Sequence, residues 1–248
     1  RGLAGRLERH LARSVPALVV ISETERERAT AAGYPARKLV VIPAGIDLDR
    51  FRHDEEGRAS LRSAWRVNSN APLIGRVGRI EPRKDYATFL QSAAIVGRSR
   101  PDARFVCIGG GPNSRVAEMH QLSRVLGLGD RVIWTGPVTV SASAYSAMDI
   151  CVSSSVSSEG IPEPLAEAMA CGTPVIATNV GDAAWLVGDD RAIVPPADPG
   201  ALAERILQLL DDIEADLIDG ATLRARIDRE LSVERLLDRM ETVLLGRG

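Results

Sequence analysis

The sequence predicts an α/β fold built on a doubly wound parallel sheet. Short apolar, β-rich runs alternate with longer helical patterns, the rhythm of repeated βα units covered on both faces. Helix boundaries are written into the chain: Ser22 followed by Glu25 is a capping-box pattern, and Gly33, Gly97 and Gly172 stand where C-terminal caps belong. The composition fits a folded globular chain, with 45% hydrophobic and 26% charged residues over 248 positions.

In order along the chain, an opening helix carries Arg1, Arg6, Arg9 and Arg13 beside Leu3, Leu7 and Leu11. This pattern suits the solvated face of a helix packed on a sheet, or a basic helix at a membrane surface. A strand is predicted over 17–21, a helix over 23–32 between Ser22 and Gly33, and a strand over 39–42 that Pro43 stops. A domain boundary falls at 43–51, after which the spacing of elements restarts. Helices are then predicted over 55–65, 86–97, 114–126, 142–147 and 162–171. Strands are predicted between them at 73–77, 104–108, 131–134, 150–153 and 174–177. Pro162 or Pro164 opens the 162–171 helix at an early position, where a missing N–H costs nothing. From Asp198 the pattern is almost wholly helical, through 201–212 and then 233–245, where Leu236, Leu237, Met240, Val243 and Leu244 share one face. The implied organisation is the tail of one domain at 1–42, a linker at 43–54, a doubly wound domain at 55–230 and a terminal helix at 231–248.

A formal net charge of −2 gives no reason to expect a nucleic-acid binder. No apolar run approaches the roughly 18–20 residues of a membrane span, and no signal segment opens the chain, so the expectation is a cytoplasmic protein. Cys107, Cys151 and Cys171 are widely spaced in apolar stretches and read as buried free thiols. Arg1 in place of an initiator Met predicts a piece of a longer protein, with little activity of its own.

Three segments carry chemistry. Gly78 and Arg79 close a strand and are followed by Lys84 at the mouth of a helix, which places two cations and a helix N-terminus where open α/β sheets bind ligands and suits a diphosphate. Lys38 and Lys84 are the only lysines among 31 basic residues, so a lysine here departs from the local habit. Gly109, Gly110 and Gly111 at the next strand end serve either a tight turn or close backbone approach to a ligand. Their spacing lacks the Gly-x-Gly-x-x-Gly fingerprint, which disfavours a dinucleotide. In the segment 158–174, Glu159 lies in a loop and Glu167 in a helix, carboxylates suited to sugar hydroxyls and a ribose diol. The plainer alternative is that Glu159 and Glu163 favour the helix's positive end and Glu167 is solvated.

Together these segments resemble the retaining glycosyltransferases of family 4, which have the two-domain GT-B fold. The resemblance runs from Val20-Ile21-Ser22-Glu23 through Val41-Ile42-Pro43-Ala44-Gly45-Ile46-Asp47, Val77-Gly78-Arg79 with Lys84, Gly109-Gly110-Gly111-Pro112 and Thr135-Gly136-Pro137-Val138. It culminates in Glu159 and Glu167, eight positions apart, and Ala168-Met169-Ala170. It implies a nucleotide-diphosphate sugar donor, linked to UDP or GDP, with Arg79 and Lys84 on the diphosphate, Glu159 on the sugar, Glu167 on the ribose and the backbone near Val138 on the base. Gly78, Gly160, Ile161, Glu163 and Leu165 complete the implied donor surface. Transfer with retention, without an obligatory metal or a cofactor, to a glycan, lipid or small-molecule acceptor is what such a site implies. The resemblance also implies an N-terminal acceptor domain that touches the inner face of a membrane, and self-association of a chain lacking it. Pro162 and Pro164 replace residues that would donate N–H groups in the family. The alternatives from other classes are a non-catalytic nucleotide-sugar module and a sugar-nucleotide 2-epimerase.

Overall fold

The computed structural model describes residues 3–157 and 160–246. In chain order the elements are α1 (Leu3–Leu11), β1 (Leu18–Val20), α2 (Glu23–Ala31), β2 (Leu39–Val41), α3 (Glu55–Ala64), β3 (Leu73–Val77), α4 (Tyr86–Ser99), β4 (Arg104–Ile108), α5 (Asn113–Val125) and β5 (Val132–Gly136). They continue with α6 (Ala142–Ala147), β6 (Ile150–Ser153), α7 (Glu163–Ala170), β7 (Val175–Thr178), α8 (Ala183–Val187), β8 (Ile193–Val194), α9 (Pro199–Glu214), α10 (Gly220–Leu231) and α11 (Val233–Leu244).

Six strands form one sheet in the order β5-β4-β3-β6-β7-β8, every pair parallel. The chain enters at β3 in the centre, builds outward to β5, then crosses back and builds outward on the other side from β6. The doubly wound expectation is borne out. Alternation along each strand splits the core in two. Leu73, Val106, Cys151 and Val175 face one side with Tyr145, Leu165, Met169 and Ile227 of α6, α7 and α10. Ile74, Phe105, Cys107 and Ile176 face the other with Phe89, Leu90, Leu202 and Ile206 of α4 and α9. Each large side chain buried in this way contributes about 1.5–3 kcal/mol of transfer free energy. All three cysteines are buried free thiols; burial pushes Cys151 and Cys171 up to about 12.

β1 and β2 form a separate parallel pair, Leu18 opposite Leu39. The segment joining them to the large sheet is held by the far end of the chain: Ile46 N–H donates to the Leu231 carbonyl at 2.7 Å. Arg224 of α10 donates to the carbonyls of Leu48 (2.8 Å), Phe51 (2.7 Å) and Ala170 (2.7 Å). At α2, Ser22 Oγ accepts from the Glu25 N–H at 3.1 Å. The Glu25 carboxylate reaches back one residue further than a capping box requires, to the Ile21 N–H at 2.7 Å. The N–H groups of Glu23 and Thr24 are instead taken by Asp182, from the loop after β7, at 2.8 and 3.1 Å.

The structure corrects three expectations. Gly97 is not a C-cap; it lies buried inside α4, which runs on to Ser99. A Cβ there would stand 2.6 Å from Arg131 Nη1, and that guanidinium donates to the Gly97 carbonyl at 2.7 Å, so the glycine makes room for a side chain rather than ending a helix. The strand placed at 174–177 runs Val175–Thr178, because the Pro174 ring supplies no ladder donor, and that placed at 131–134 runs Val132–Gly136. The two-residue β8 and five-residue α8 were not anticipated, being shorter than any periodic signal. Among the described residues no helix is long and apolar enough to cross a membrane.

Candidate functional site

Where the winding reverses, β3 and β6 lie side by side and their chains leave for opposite flanks, which opens a crevice beyond their C-terminal ends. The loops after the two strands are tied across it. Ser154 Oγ donates to the carbonyls of Lys84 at 3.2 Å and Asp85 at 2.9 Å, and the Val156 N–H donates to the Arg83 carbonyl at 2.9 Å. These bonds fix the short 3-10 turn Pro82–Lys84, with Lys84 half-buried at its end.

Gly78 is placed by two partners: its N–H donates to the Ile108 carbonyl at 2.9 Å and its carbonyl accepts from the Tyr86 hydroxyl at 2.5 Å. Arg79 follows, exposed, on a cleft of about 560 Å³ lined by Gly109, Gly110, Gly111, Asn113, Gly136 and Pro137. Two glycines of this wall, Gly109 and Gly111, are required by close backbone approach. A Cβ on Gly109 would lie 2.0 Å from the Gly78 carbonyl oxygen, and one on Gly111 would lie 2.3 Å from that of Ile80. Of the two readings of the triple glycine, the backbone itself uses the space: Ile80 N–H donates to the Gly110 carbonyl at 2.8 Å.

The mouth of α4, expected to hold phosphate, is already occupied. Asp85 sits there with φ 45°, and its carboxylate accepts from the Thr88 N–H at 3.2 Å and the Thr88 hydroxyl at 2.6 Å. A carboxylate cap satisfies the helix end and neutralises its partial positive charge, so the mouth of α4 is not an open anion site. Among the described residues no side chain caps the opening of α7; Pro162 precedes it and Pro164 lies in its first turn.

Glu159 lies outside the described residues. Gly160 is half-buried against the β1–β2 unit, where a Cβ would come within 2.9 Å of Ser22 Oγ, and its carbonyl accepts from the Asp182 N–H at 3.3 Å. Ile161 packs on the core and lines a cleft of about 360 Å³ between the two units, with Ser22, Pro43, Asp182, Trp185 and Arg239. Glu163 is exposed at the first turn of α7. Leu165, placed on the donor surface by resemblance, is a core residue, 1% exposed, and its N–H is taken by the Pro162 carbonyl at 2.9 Å. The turn that opens the helix consumes that donor and the apolar side chain follows the core. Glu167, one turn on, is half-buried and its carboxylate accepts from the Tyr145 phenol. Burial lifts the Glu167 carboxyl above the usual carboxylate range, against the opposing pull of the Tyr145 bond. The Tyr145 phenol is raised by burial and then by the Glu167 charge. Val138 is exposed, two residues past β5.

Arg76, Tyr86, Ser154 and Asp182 were missed by sequence reasoning. The one available signal was an arginine inside the apolar run Leu73–Val77. Among the described residues, no group of three His, Cys, Asp or Glu side chains is arranged to hold a metal ion.

A family model described as glycosyl transferases group 1 matches residues 71–212, and one described as glycosyltransferase family 4 matches residues 1–50. D-inositol 3-phosphate glycosyltransferase 2 of Catenulispora acidiphila is 39% identical over 206 residues, covering 77% of this chain and 48% of that protein. A GDP-mannose-dependent alpha-(1-6)-phosphatidylinositol monomannoside mannosyltransferase of Mycobacterium tuberculosis is 29% identical over 236 residues, covering 91% and 60%. The chain thus spans about half the length of the curated relatives it matches. Anabaena HepE, solved in complex with UDP and glucose, superposes with a TM-score of 0.88 at 23% identity, over 97% of this chain and 66% of that one, and shares the GT-B fold. With the group 1 model matching more than half of its length, the chain belongs to the group 1 glycosyl transferases.

Proposed function

We propose that the chain is the donor-binding portion of a retaining glycosyltransferase of family 4, which transfers a sugar from a nucleotide-diphosphate donor to an acceptor. The observation that supports it most is the tied pair of loops at the sheet's crossover, which sets Lys84 and Arg79 on one short segment beside the loop that leads to Glu159 and Glu167. Arg79 and Lys84 bind the diphosphate and stabilise the charge that develops on it as the sugar–phosphate bond breaks. Glu159 orients the donor sugar and Glu167 accepts from the ribose hydroxyls, with the Tyr145 phenol holding its carboxylate in place. The base lies near Val138. No divalent metal or cofactor is required of this site, because its two cations supply the charge. The donor is UDP- or GDP-linked: HepE was solved with UDP, and the mycobacterial relative is named for GDP-mannose. The acceptor is a glycan, a lipid or a small molecule, bound by an N-terminal domain of which residues 1–42 are the end. Such an enzyme works in the cytoplasm, at or near the inner face of a membrane.

Calorimetry with UDP, GDP and the free nucleosides in EDTA tests this reading. Binding of a diphosphate in EDTA is the expected result, and Lys84→Ala is expected to weaken it by about 1.5–3 kcal/mol while leaving the nucleoside nearly unaffected. Loss of all UDP and GDP binding on chelation, or an unchanged affinity in the Lys84 variant, counts against it.

A further inference from the structure

Arg76 lies inside the sheet. It stands on the central strand β3, opposite Cys107 of β4 and Val152 of β6, and is 2% exposed. A buried guanidinium is ordinarily neutralised by a carboxylate, because removing a charge from water is costly unless an opposite charge repays it. Among the described residues none does so here. Its Nη1 donates to the Val77 carbonyl at 3.0 Å, and its Nη2 donates to the Lys84 carbonyl at 2.7 Å and to Ser155 Oγ at 3.4 Å. Its planar group lies 5.1 Å from the centre of the Tyr86 ring, and its buried Nε has no hydrogen-bond partner among the described residues. These partners are dipoles. They orient the cation without cancelling it, and two of them, the Val77 and Lys84 carbonyls, sit at the two ends of the segment that carries Gly78, Arg79 and Lys84.

We propose that Arg76 is a positioning residue for the donor diphosphate: it holds the 77–84 loop by its two ends, and its uncompensated charge beneath the crevice is neutralised when the nucleotide's phosphates bind. The proposal rests on the donor site described above and adds to it a cation that never touches the ligand. In the unliganded protein the charge is a standing cost; in the complex it is a long-range attraction through a poorly screening interior. At Cys107, opposite it on β4, the Arg76 charge opposes the stronger upward push of burial on the thiol.

The test compares UDP with uridine by calorimetry on the 248-residue chain. Wild-type protein must bind UDP more tightly than uridine; if it binds neither, the donor-site reading falls, whatever Arg76 does. Given that preference, Arg76→Met is expected to weaken UDP about 5- to 30-fold and leave uridine unchanged, while Arg76→Lys stays within about 3-fold of wild type. A merely structural arginine would lower melting temperature and affect both ligands alike. Where Arg76→Met does not fold, Cys107→Asp supplies an internal counter-ion beside an intact Arg76, and UDP affinity is expected to fall while uridine affinity holds. UDP affinity within 2-fold of wild type in Arg76→Met or Cys107→Asp overturns the proposal, as does an equal loss of UDP and uridine.

Discussion

Gly109 leaves no space for a side chain. With φ 138° and the Gly78 carbonyl oxygen 2.0 Å from where a Cβ would sit, Gly109→Ala must move backbone on both strand ends. The expected cost is at least about 2 kcal/mol of stability by urea titration, from the strained φ and the collision together. A variant as stable as wild type would show that the two loops can separate freely. Glu167 gives a pH signature. Its carboxyl is raised in the folded protein from an ordinary value of 4.5, so the folded state holds the proton more tightly than the unfolded chain does. The stabilisation is therefore complete below about pH 4.5 and is lost as pH rises through the folded-state value. Glu167→Gln is expected to melt at or above the wild-type temperature at pH 7.5 and to show a smaller gain between pH 7.5 and pH 5. An identical pH profile in both proteins would remove that account. Glu167 was legible as a candidate from its place in the 158–174 segment and from the resemblance that segment carries. The Tyr145 partner was not, since the phenol reaches Glu167 from a helix 22 residues away in sequence.

Helix boundaries show why local signals succeed in some places and fail in others. Ser22 and Gly172 act within a few residues of themselves, and the ends they mark are where they were expected, whereas the helix expected from residue 201 starts two residues earlier, at Pro199, capped by Asp198. Gly97 looked the same in sequence, yet its role is set by Arg131, a residue of the turn before β5. Gly97→Ala therefore trades a helix-propensity gain of about 0.5–1 kcal/mol against the displaced Arg131 bond, of similar size, and should come out near zero. In an Arg131→Ala background the same change should stabilise by the full propensity gain, a difference that a double-mutant cycle reads directly. α2 is governed from even further away. Asp182→Ala removes an acceptor for two backbone N–H groups and is expected to cost about 1–2 kcal/mol, with faster hydrogen exchange at Glu23 and Thr24. Unchanged exchange at those two amides would mean that Ser22 caps α2 alone.

Burial and strand pairing both fall off from the large sheet outward. β3, β4 and β6 are buried on both faces and paired on both edges, whereas β1 and β2 have one partner each, and Val19 and Ile21 are left 45% and 55% exposed. A two-stranded parallel pair has little independent stability, so its amides should exchange through local opening well before those of Leu73–Val77, which wait for global unfolding. Equal protection in the two sheets would show that they unfold as one unit. The repeating βα rhythm made the large sheet readable from sequence; the attachment of the small one was not, because it rests on Asp182, Arg224 and the Ile46 bond, contacts that join distant parts of the chain.

That attachment bears on how such proteins can be recombined. Gly160 lies so close to Ser22 that a methyl group would touch its hydroxyl, and Asp182 bonds both the Gly160 carbonyl and the first turn of α2. A chimera that grafts another protein's N-terminal half onto residues 55–246 should therefore fold well only if the graft brings a small polar residue at the position of Ser22 and free amides facing Asp182. Soluble yield and melting temperature across a panel of such grafts would track the match at this seam rather than overall sequence identity.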